Sequence, residues 1–186
     1  VMNALKKLPA DSQFLGQRVS TKLQSLLKDC VATLKNYDSD STVIHGDFHP
    51  GQVIVDQDGN VAFIDLDHAA IGDRHHDLGH FISHVELLVL YGKLTNVDAR
   101  RCMDSFLNGY QTEGVVIGDR ILQSLTAASL LQLVHEPFRY RYSKWHESTN
   151  RLLDRAARIL DTSVPHLSTQ LDCQVSQPDR HSNIIG

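Results

Sequence analysis

The sequence predicts an α+β domain in which helices dominate and a short β-hairpin carries most of the polar chemistry. Apolar residues recur at three- and four-residue spacing through most of the chain, which is typical of amphipathic helices. Three short apolar runs, at 43–44, 53–55 and 61–64, are instead separated by polar loops and turn-forming residues. At 186 residues, with 41% hydrophobic and 22% charged residues, the chain is long enough for one domain with a full core.

The hairpin is predicted within a central stretch, residues 43–79. Its turn is the segment 56–60, where Asp-Gly and Gly-Asn pairs tolerate the positive φ that tight turns need. Asp47 lies in the polar loop before the hairpin, and Asp65 follows its last strand. We therefore expect both carboxylates to face the same mouth. The following segment, 67–76, is predicted to be a loop rich in charge and histidine.

Helices are predicted on both sides of this stretch. Residues 1–8 are expected to end one helix, and 13–35 to form an amphipathic one. Asp77 is placed as the N-cap of the first helix after the hairpin, and Thr95 with Asp98 resembles a capping box at the start of the next. The helices predicted after the hairpin cover 78–91, 97–111, 119 to a stop at Pro137, and 144–160.

The charge and composition exclude several classes of protein. A formal charge of −4 argues against binding to a nucleic-acid backbone, which needs clustered lysine and arginine. The sequence contains no run of 18 apolar residues that would span a membrane and no visible signal peptide. Its three cysteines have neither disulfide nor metal spacing, which suits a reducing compartment. We therefore expect a cytoplasmic protein.

Three polar residues have the spacing of a phosphoryl-transfer site. Asp47 is followed five residues later by Gln52, and Asp65 comes thirteen residues after that, beyond the hairpin. Phosphoryl transfer needs an oriented oxygen nucleophile and Mg²⁺ to neutralise the phosphates. Mg²⁺ prefers oxygen ligands, which a carboxylate and an amide carbonyl supply. The order carboxylate, amide, carboxylate is that of a kinase catalytic loop followed by its metal site.

Three sequence blocks carry a family resemblance: HGDFHPGQ at 45–52, IDLD at 64–67 and GDRHHDL at 72–78. Together they resemble the C-terminal lobe of the aminoglycoside phosphotransferase and choline kinase-like family. This resemblance implies a protein-kinase-like fold, ATP as the phosphoryl donor, Mg²⁺ as cofactor and a small-molecule hydroxyl as the acceptor. The chain is thus expected to be an enzyme, a phosphotransferase with an alcohol group as acceptor.

The resemblance also assigns roles by matching position. Asp47 would be the catalytic base, and Gln52 and Asp65 would bind the Mg²⁺ and, through it, the nucleotide. Asp77 would be a structural carboxylate that ties its helix to the catalytic loop. Gln52 stands where the family usually has asparagine, and its extra methylene moves the amide oxygen. Asp67 is a further acidic residue that would touch a second metal or a cationic substrate, or face solvent.

The resemblance divides the chain into a kinase-like C-terminal lobe over 1–162 and an irregular tail over 163–186. Within the lobe, 1–42 holds the leading helices, 43–79 the catalytic loop, hairpin and metal loop, and 80–162 a helical subdomain. The sequence contains no Gly-rich strand pair and no strand lysine that would cover the phosphates. We therefore expect the N-terminal lobe of the full-length protein to lie outside this chain.

The histidines leave two alternatives open. His45 and His49 are expected to support the loop through hydrogen bonds. His76, His80 and His84 recur every four residues and would line one helix face, a spacing that chelates zinc in some hydrolases. A catalytically weak, kinase-like binding module is therefore the first alternative to the kinase. A histidine-based metal hydrolase is the second, although packed histidines are the simpler interpretation.

Overall fold

A computed structural model describes residues 8, 15–38 and 40–161 of the chain. These residues form a helix-rich α+β structure, as the sequence predicts. The helices are α1 Gln17–Leu34, α2 His76–Leu90, α3 Asn96–Thr112, α4 Asp119–Gln132, α5 Glu136–Arg139 and α6 Trp145–Asp161. The strands are β1 Ser41–Ile44, β2 Val53–Val55, β3 Val61–Phe63 and β4 Ala70–Asp73. Two short 3₁₀ turns, Pro50–Gln52 and Leu66–His68, precede β2 and β4.

The predicted hairpin is confirmed, and a second strand pair joins it. β2 pairs with β3 in antiparallel register, and the turn between them holds Gly59 at a φ of 84°. β1 pairs with β4, so that Val43 lies opposite Ile71. The segment 67–76 was expected to be a loop, and this expectation is wrong for the residues of β4. Their partner strand lies far back in the chain, so no local pattern marks them.

The predicted helices are confirmed with shifted ends. α2 begins at His76, so Asp77 lies in its first turn and is not the N-cap. The capping box at α3 is confirmed, because Thr95 Oγ1 accepts a hydrogen bond of 3.1 Å from the N–H of Asp98. Pro137 does not end α4; it lies in the first turn of α5, where its missing N–H costs nothing. The predicted elements at 1–7 and 163–186 lie outside the described residues.

The buried side chains form two clusters that share the helix pair α2 and α4. One cluster is built mainly from α1, α4 and α6, and the other from α2, α3 and Phe48 of the polar loop. Gly79 allows α2 to approach α4 closely, since a Cβ there would lie 2.7 Å from Cβ of Leu125. α2 is therefore packed tightly against α4, and its first turn is a rigid support for the segments that contact it.

A buried ion pair joins α2 to α6. The guanidinium of Arg155 donates from Nε to Glu86 Oε2 at 2.7 Å and from Nη2 to Oε1 at 2.5 Å. The exposed fractions are 1% for Glu86 and 5% for Arg155. Both carboxylate oxygens are engaged, which is the bidentate geometry that makes such a pair tolerable in a core.

The two small sheets expose apolar side chains. Val43 and Ile71 are each 72% exposed, and Phe63 of the hairpin is 59% exposed. Val43 and Ile71 are cross-strand partners and so lie side by side. Exposed apolar patches are typical of surfaces that another protein or a ligand covers. Among the described helices, none has both the length and the apolar character that crossing a membrane requires.

Removing one partner of the buried ion pair should destabilise the protein strongly. Arg155→Met leaves the Glu86 carboxylate buried without its counter-ion, so we expect the free energy of unfolding to fall by roughly 3–5 kcal/mol. Chemical denaturation measured by circular dichroism gives this value.

The double variant Glu86→Leu with Arg155→Met should recover most of that loss, because no charge then remains buried. Lys22→Met is a matched control, because it breaks an exposed ion pair to Asp154 and should cost less than about 1 kcal/mol. A single variant as stable as the wild type, or a double variant as unstable as the single one, would contradict this account.

Candidate active site

The carboxylate of Asp77 holds the polar loop that follows β1. The carboxylate of Asp77 accepts a 2.7 Å hydrogen bond from the N–H of His45 and a 3.0 Å bond from the N–H of Gly46. Asp77 is only 7% exposed, and both of its oxygens are engaged. Because Asp77 lies in the first turn of α2, these two bonds fix the start of the loop, and thus Asp47, to a rigid helix.

The same loop is joined to the segment that follows the hairpin. The ring of His45 donates from Nε2 to the carbonyl oxygen of Ile64 at 2.9 Å. Gly46 has a φ of 83°, and a Cβ there would lie 2.2 Å from the carbonyl oxygen of His68. Only glycine permits this approach. The loop that carries Asp47 and the turn that follows Asp65 are therefore in direct contact.

Phe48 anchors the loop in the core. Its ring stacks on Phe81 of α2 and Phe106 of α3 with centroids 5.5 and 5.9 Å apart, and it meets Phe63 of the hairpin edge-on at 5.3 Å. Offset-stacked and edge-on ring pairs are favourable arrangements. Asp47, the neighbour of this anchor, therefore has a fixed backbone position although its side chain is 36% exposed.

Gln52 and Asp65 are brought together across the base of the hairpin. The amide nitrogen of Gln52 donates to Oδ2 of Asp65 at 2.9 Å. The backbone of Gln52 is also fixed, because its N–H bonds to the carbonyl of His49 and its carbonyl accepts from the N–H of Ile64. Gln52 is 7% exposed, whereas Asp65 is exposed and adopts the left-handed conformation at φ 62°.

The remaining predicted residues take less central positions. His49 accepts a 3.1 Å hydrogen bond at Nδ1 from the N–H of Gly51 and so closes its own turn. Asp67 lies exposed in the 3₁₀ turn after Asp65. A groove of about 420 Å³ lies along α3 and the loop that follows it, and none of the predicted site residues lines it. It is lined by Ser105, Phe106, Gly109, Tyr110, Glu113 and Val115.

His80 contacts Asp47 directly, which the sequence reasoning missed. His80 Nε2 lies 2.9 Å from Asp47 Oδ1, and the imidazole is 12% exposed. A histidine one turn after Asp77 on the same helix face was the available signal, because residues at i and i+3 are neighbours on a helix. His84 follows one turn later and donates from Nδ1 to the carbonyl of His80 at 3.1 Å.

Burial controls the charge of these rings. It lowers the pKa of His80, against the raising effect of the Asp47 carboxylate. Burial, helped by the neighbouring His80, lowers the pKa of His84 to about 4. Burial also raises the pKa of Glu136, and the negative charge of Asp47 adds to that rise. At neutral pH, His80 and His84 are therefore uncharged, and Glu136 of α5 lies within electrostatic reach of Asp47.

The histidines do not form a metal centre. His76 Nε2 lies 3.3 Å from the carbonyl oxygen of Gly46, so the imidazoles of His76, His80 and His84 bond to three different groups. Within 15–38 and 40–161, no three His, Cys, Asp or Glu side chains are grouped as metal ligands. The second alternative, a histidine-based metal hydrolase, therefore gains no support from the described residues, and the rings are packed as the simpler interpretation expects.

Comparison with known proteins gives a family match. The model of the phosphotransferase enzyme family matches residues 3–104, which is more than half of the chain and contains all the candidate residues of the polar loop and the hairpin. The family resemblance drawn from the three sequence blocks is thereby confirmed. No curated protein and no solved structure matches the chain significantly.

The lowered pKa of His84 predicts that acid destabilises the fold. The folded state keeps this ring neutral down to a pKa of about 4, whereas an unfolded histidine protonates near pH 6.5. The unfolded chain binds the additional proton between these values, so stability is full above pH 6.5 and falls toward pH 4. His84→Phe should flatten this fall by at most ~1.4 kcal/mol per pH unit, measured by urea denaturation across the range.

His146→Gln is the control for this experiment, because His146 is exposed on α6. It should leave the pH dependence of unfolding unchanged. If wild type and His84→Phe lose stability with the same slope, His84 is not held neutral in the folded state.

Proposed function

Because this chain belongs to the phosphotransferase enzyme family, we propose that it is the C-terminal lobe of an ATP-dependent, cytoplasmic small-molecule kinase. The γ-phosphate of ATP is transferred to a hydroxyl group of a small molecule, with Mg²⁺ as cofactor. The lobe comprises residues 1–162, and 163–186 form a tail outside it. The observation that best supports this proposal is the direct bond from His45 to the carbonyl before Asp65, which joins the loop of Asp47 to the turn of Asp65.

Asp47 is the proposed general base. Its carboxylate accepts the proton of the acceptor hydroxyl while the hydroxyl oxygen forms a bond to the γ-phosphorus. The bond from that phosphorus to the bridging oxygen breaks, and ADP leaves with the electron pair. Asp47 suits this role because one of its oxygens is bonded to His80 and its side chain remains partly open to solvent. A base must meet its proton at hydrogen-bond distance, which requires such exposure.

Gln52 and Asp65 fit a magnesium site. The Gln52 amide donates through its nitrogen, so its carbonyl oxygen keeps its lone pairs for a cation. Asp65 offers its second carboxylate oxygen and is exposed. Mg²⁺ commonly uses one or two carboxylates, with phosphate oxygens and water as the other ligands. When bound there, Mg²⁺ would neutralise charge on the phosphates, and the residues of the chain would hold the nucleotide in place through it.

The exposed apolar faces of the two sheets support a further lobe. Val43, Phe63 and Ile71 are more than half exposed and lie on β1, β3 and β4 respectively. We propose that the N-terminal lobe of the full-length protein packs on this face and covers the nucleotide. A lobe of that kind would supply the Gly-rich turn and the strand lysine that kinases place on the phosphates.

A ligand-binding module without turnover is the second candidate. The observation that favours it is the Gln52–Asp65 hydrogen bond, which occupies one oxygen of the only carboxylate in the proposed pair. Such a protein would bind Mg²⁺ and ATP through Asp65 and release no ADP. The metal hydrolase is not proposed, because the imidazoles of His76, His80 and His84 each bond to a different group through one ring nitrogen.

Asp47→Asn should abolish most of the turnover of the full-length protein. Asparagine keeps the shape of the side chain but takes up no proton, so we expect kcat to fall by about 10²- to 10⁴-fold with little change in the KM for ATP. Release of ADP in the presence of a panel of small alcohols, including sugars and amino alcohols, measures this.

Asp58→Asn is the matched control, because Asp58 is an exposed carboxylate in the hairpin turn. It should leave kcat unchanged. Wild-type protein that binds ATP with Mg²⁺ but releases no ADP with any acceptor would favour the binding module. Unchanged kcat in Asp47→Asn would remove Asp47 from the reaction.

Asp65→Asn tests the metal site separately from the base. Loss of the carboxylate weakens the hold on the cation, so the Mg²⁺ concentration needed for half-maximal ATP binding should rise. Isothermal calorimetry with ATP at several Mg²⁺ concentrations measures this without turnover. An unchanged Mg²⁺ requirement would place the cation elsewhere.

A further inference from the structure

The two oxygens of the Asp47 carboxylate have different surroundings. Oδ1 lies 2.9 Å from Nε2 of His80, a ring that is 12% exposed on the inner face of α2. The side chain of Asp47 as a whole is 36% exposed. Oδ1 is thus bonded into the protein, whereas Oδ2 has no hydrogen bond to the described residues and is the oxygen left for an acceptor.

The hydrogen bond determines which nitrogen of His80 carries the proton. A carboxylate only accepts, so Nε2 must donate. Nδ1 of His80 is buried and has no hydrogen-bond partner within the described part of the chain. Protonation of Nδ1 would bury an N–H without an acceptor, which is costly. His80 is therefore a neutral, single donor, consistent with the lowering of its pKa by burial.

Other groups hold the His80 ring in place. The His84 ring lies 4.6 Å from it, and the His49 ring stacks on His84 at 4.6 Å with an interplanar angle of 17°. His76 lies on the opposite side at 5.9 Å. His76, His49 and Asp47 are the titratable groups that shift the pKa of His80, and Asp47 is the one anion among them. The rings thus connect the polar loop to α2 and pack around His80.

We propose that His80 is a positioning residue for the general base. As a neutral donor it fixes Oδ1 of Asp47 and so orients Oδ2 toward the acceptor hydroxyl. A cationic donor in this place would stabilise the carboxylate and weaken it as a base, whereas a neutral one orients it at a smaller cost in basicity. This inference rests on the proposed kinase function of Asp47.

Two substitutions separate the hydrogen bond from the volume of the ring. His80→Leu fills a similar space without a donor, and His80→Gln places an amide N–H near the position of Nε2. In the full-length protein, we expect His80→Leu to lower kcat by about 10- to 100-fold with an unchanged KM for ATP, because a misoriented base loses most of its effective concentration. His80→Gln should restore most of that loss. His146→Gln, at an exposed position on α6, should behave as the wild type.

A second measurement does not depend on activity. Nitrogen-15 spectra of the histidine side chains at neutral pH, assigned with His80→Gln, report which ring nitrogen carries the proton. We expect the Nε2–H form for His80, with a proton resonance that shifts in Asp47→Asn.

The outcomes separate the inference from the function on which it rests. Transfer that requires Asp47 but is unaffected by His80→Leu would overturn the positioning role. An Nδ1–H form of His80 would also overturn it, and so would a His80 proton resonance that does not shift in Asp47→Asn. A wild type that transfers no phosphate would refute the proposed function instead, and the spectra would still decide whether His80 orients Asp47.

Discussion

The site depends on the two hydrogen bonds that Asp77 accepts from the backbone of the polar loop. A buried carboxylate must engage both oxygens, and here its partners are the N–H groups of His45 and Gly46. Asp77 belongs to the first turn of α2, whose apolar face is buried with Phe48. The core therefore positions the helix, the helix positions Asp77, and Asp77 positions the backbone from which Asp47 projects.

The carboxylates of Asp47 and Asp65 lie in different hydrogen-bonding environments. Asp47 receives a neutral imidazole donor from the protein interior, whereas Asp65 receives the amide of Gln52 at the base of the hairpin. Neither of these two partners is a cation. A neutral donor suits the proposed base and the proposed metal ligand better than a cation would, because a cation would compete with the incoming proton or metal ion.

The sequence was sufficient for what local patterns encode. Helical periodicity located the long helices, and the turn residues around Gly59 located the hairpin. β4 was not predicted, because it is short and its partner strand β1 lies on the other side of the hairpin in the sequence. Local spacing suggested the correct helix for the histidines, but the bond from His80 to Asp47 is a tertiary contact between a loop and that helix. This bond forms only because hydrogen bonds hold the loop against α2, and helical periodicity carries no information about such contacts.

Gln52 illustrates how a one-methylene departure from the family pattern can be absorbed. Its backbone is held on both sides, by His49 and by Ile64, so the longer side chain has no freedom to shift its origin. The side chain is buried, and its amide nitrogen bonds Asp65 at 2.9 Å. The longer side chain of Gln52 therefore ends in a contact with the carboxylate of Asp65. That contact uses the nitrogen of Gln52 and one oxygen of Asp65, so one oxygen of each residue stays outside it, as the proposed magnesium site requires.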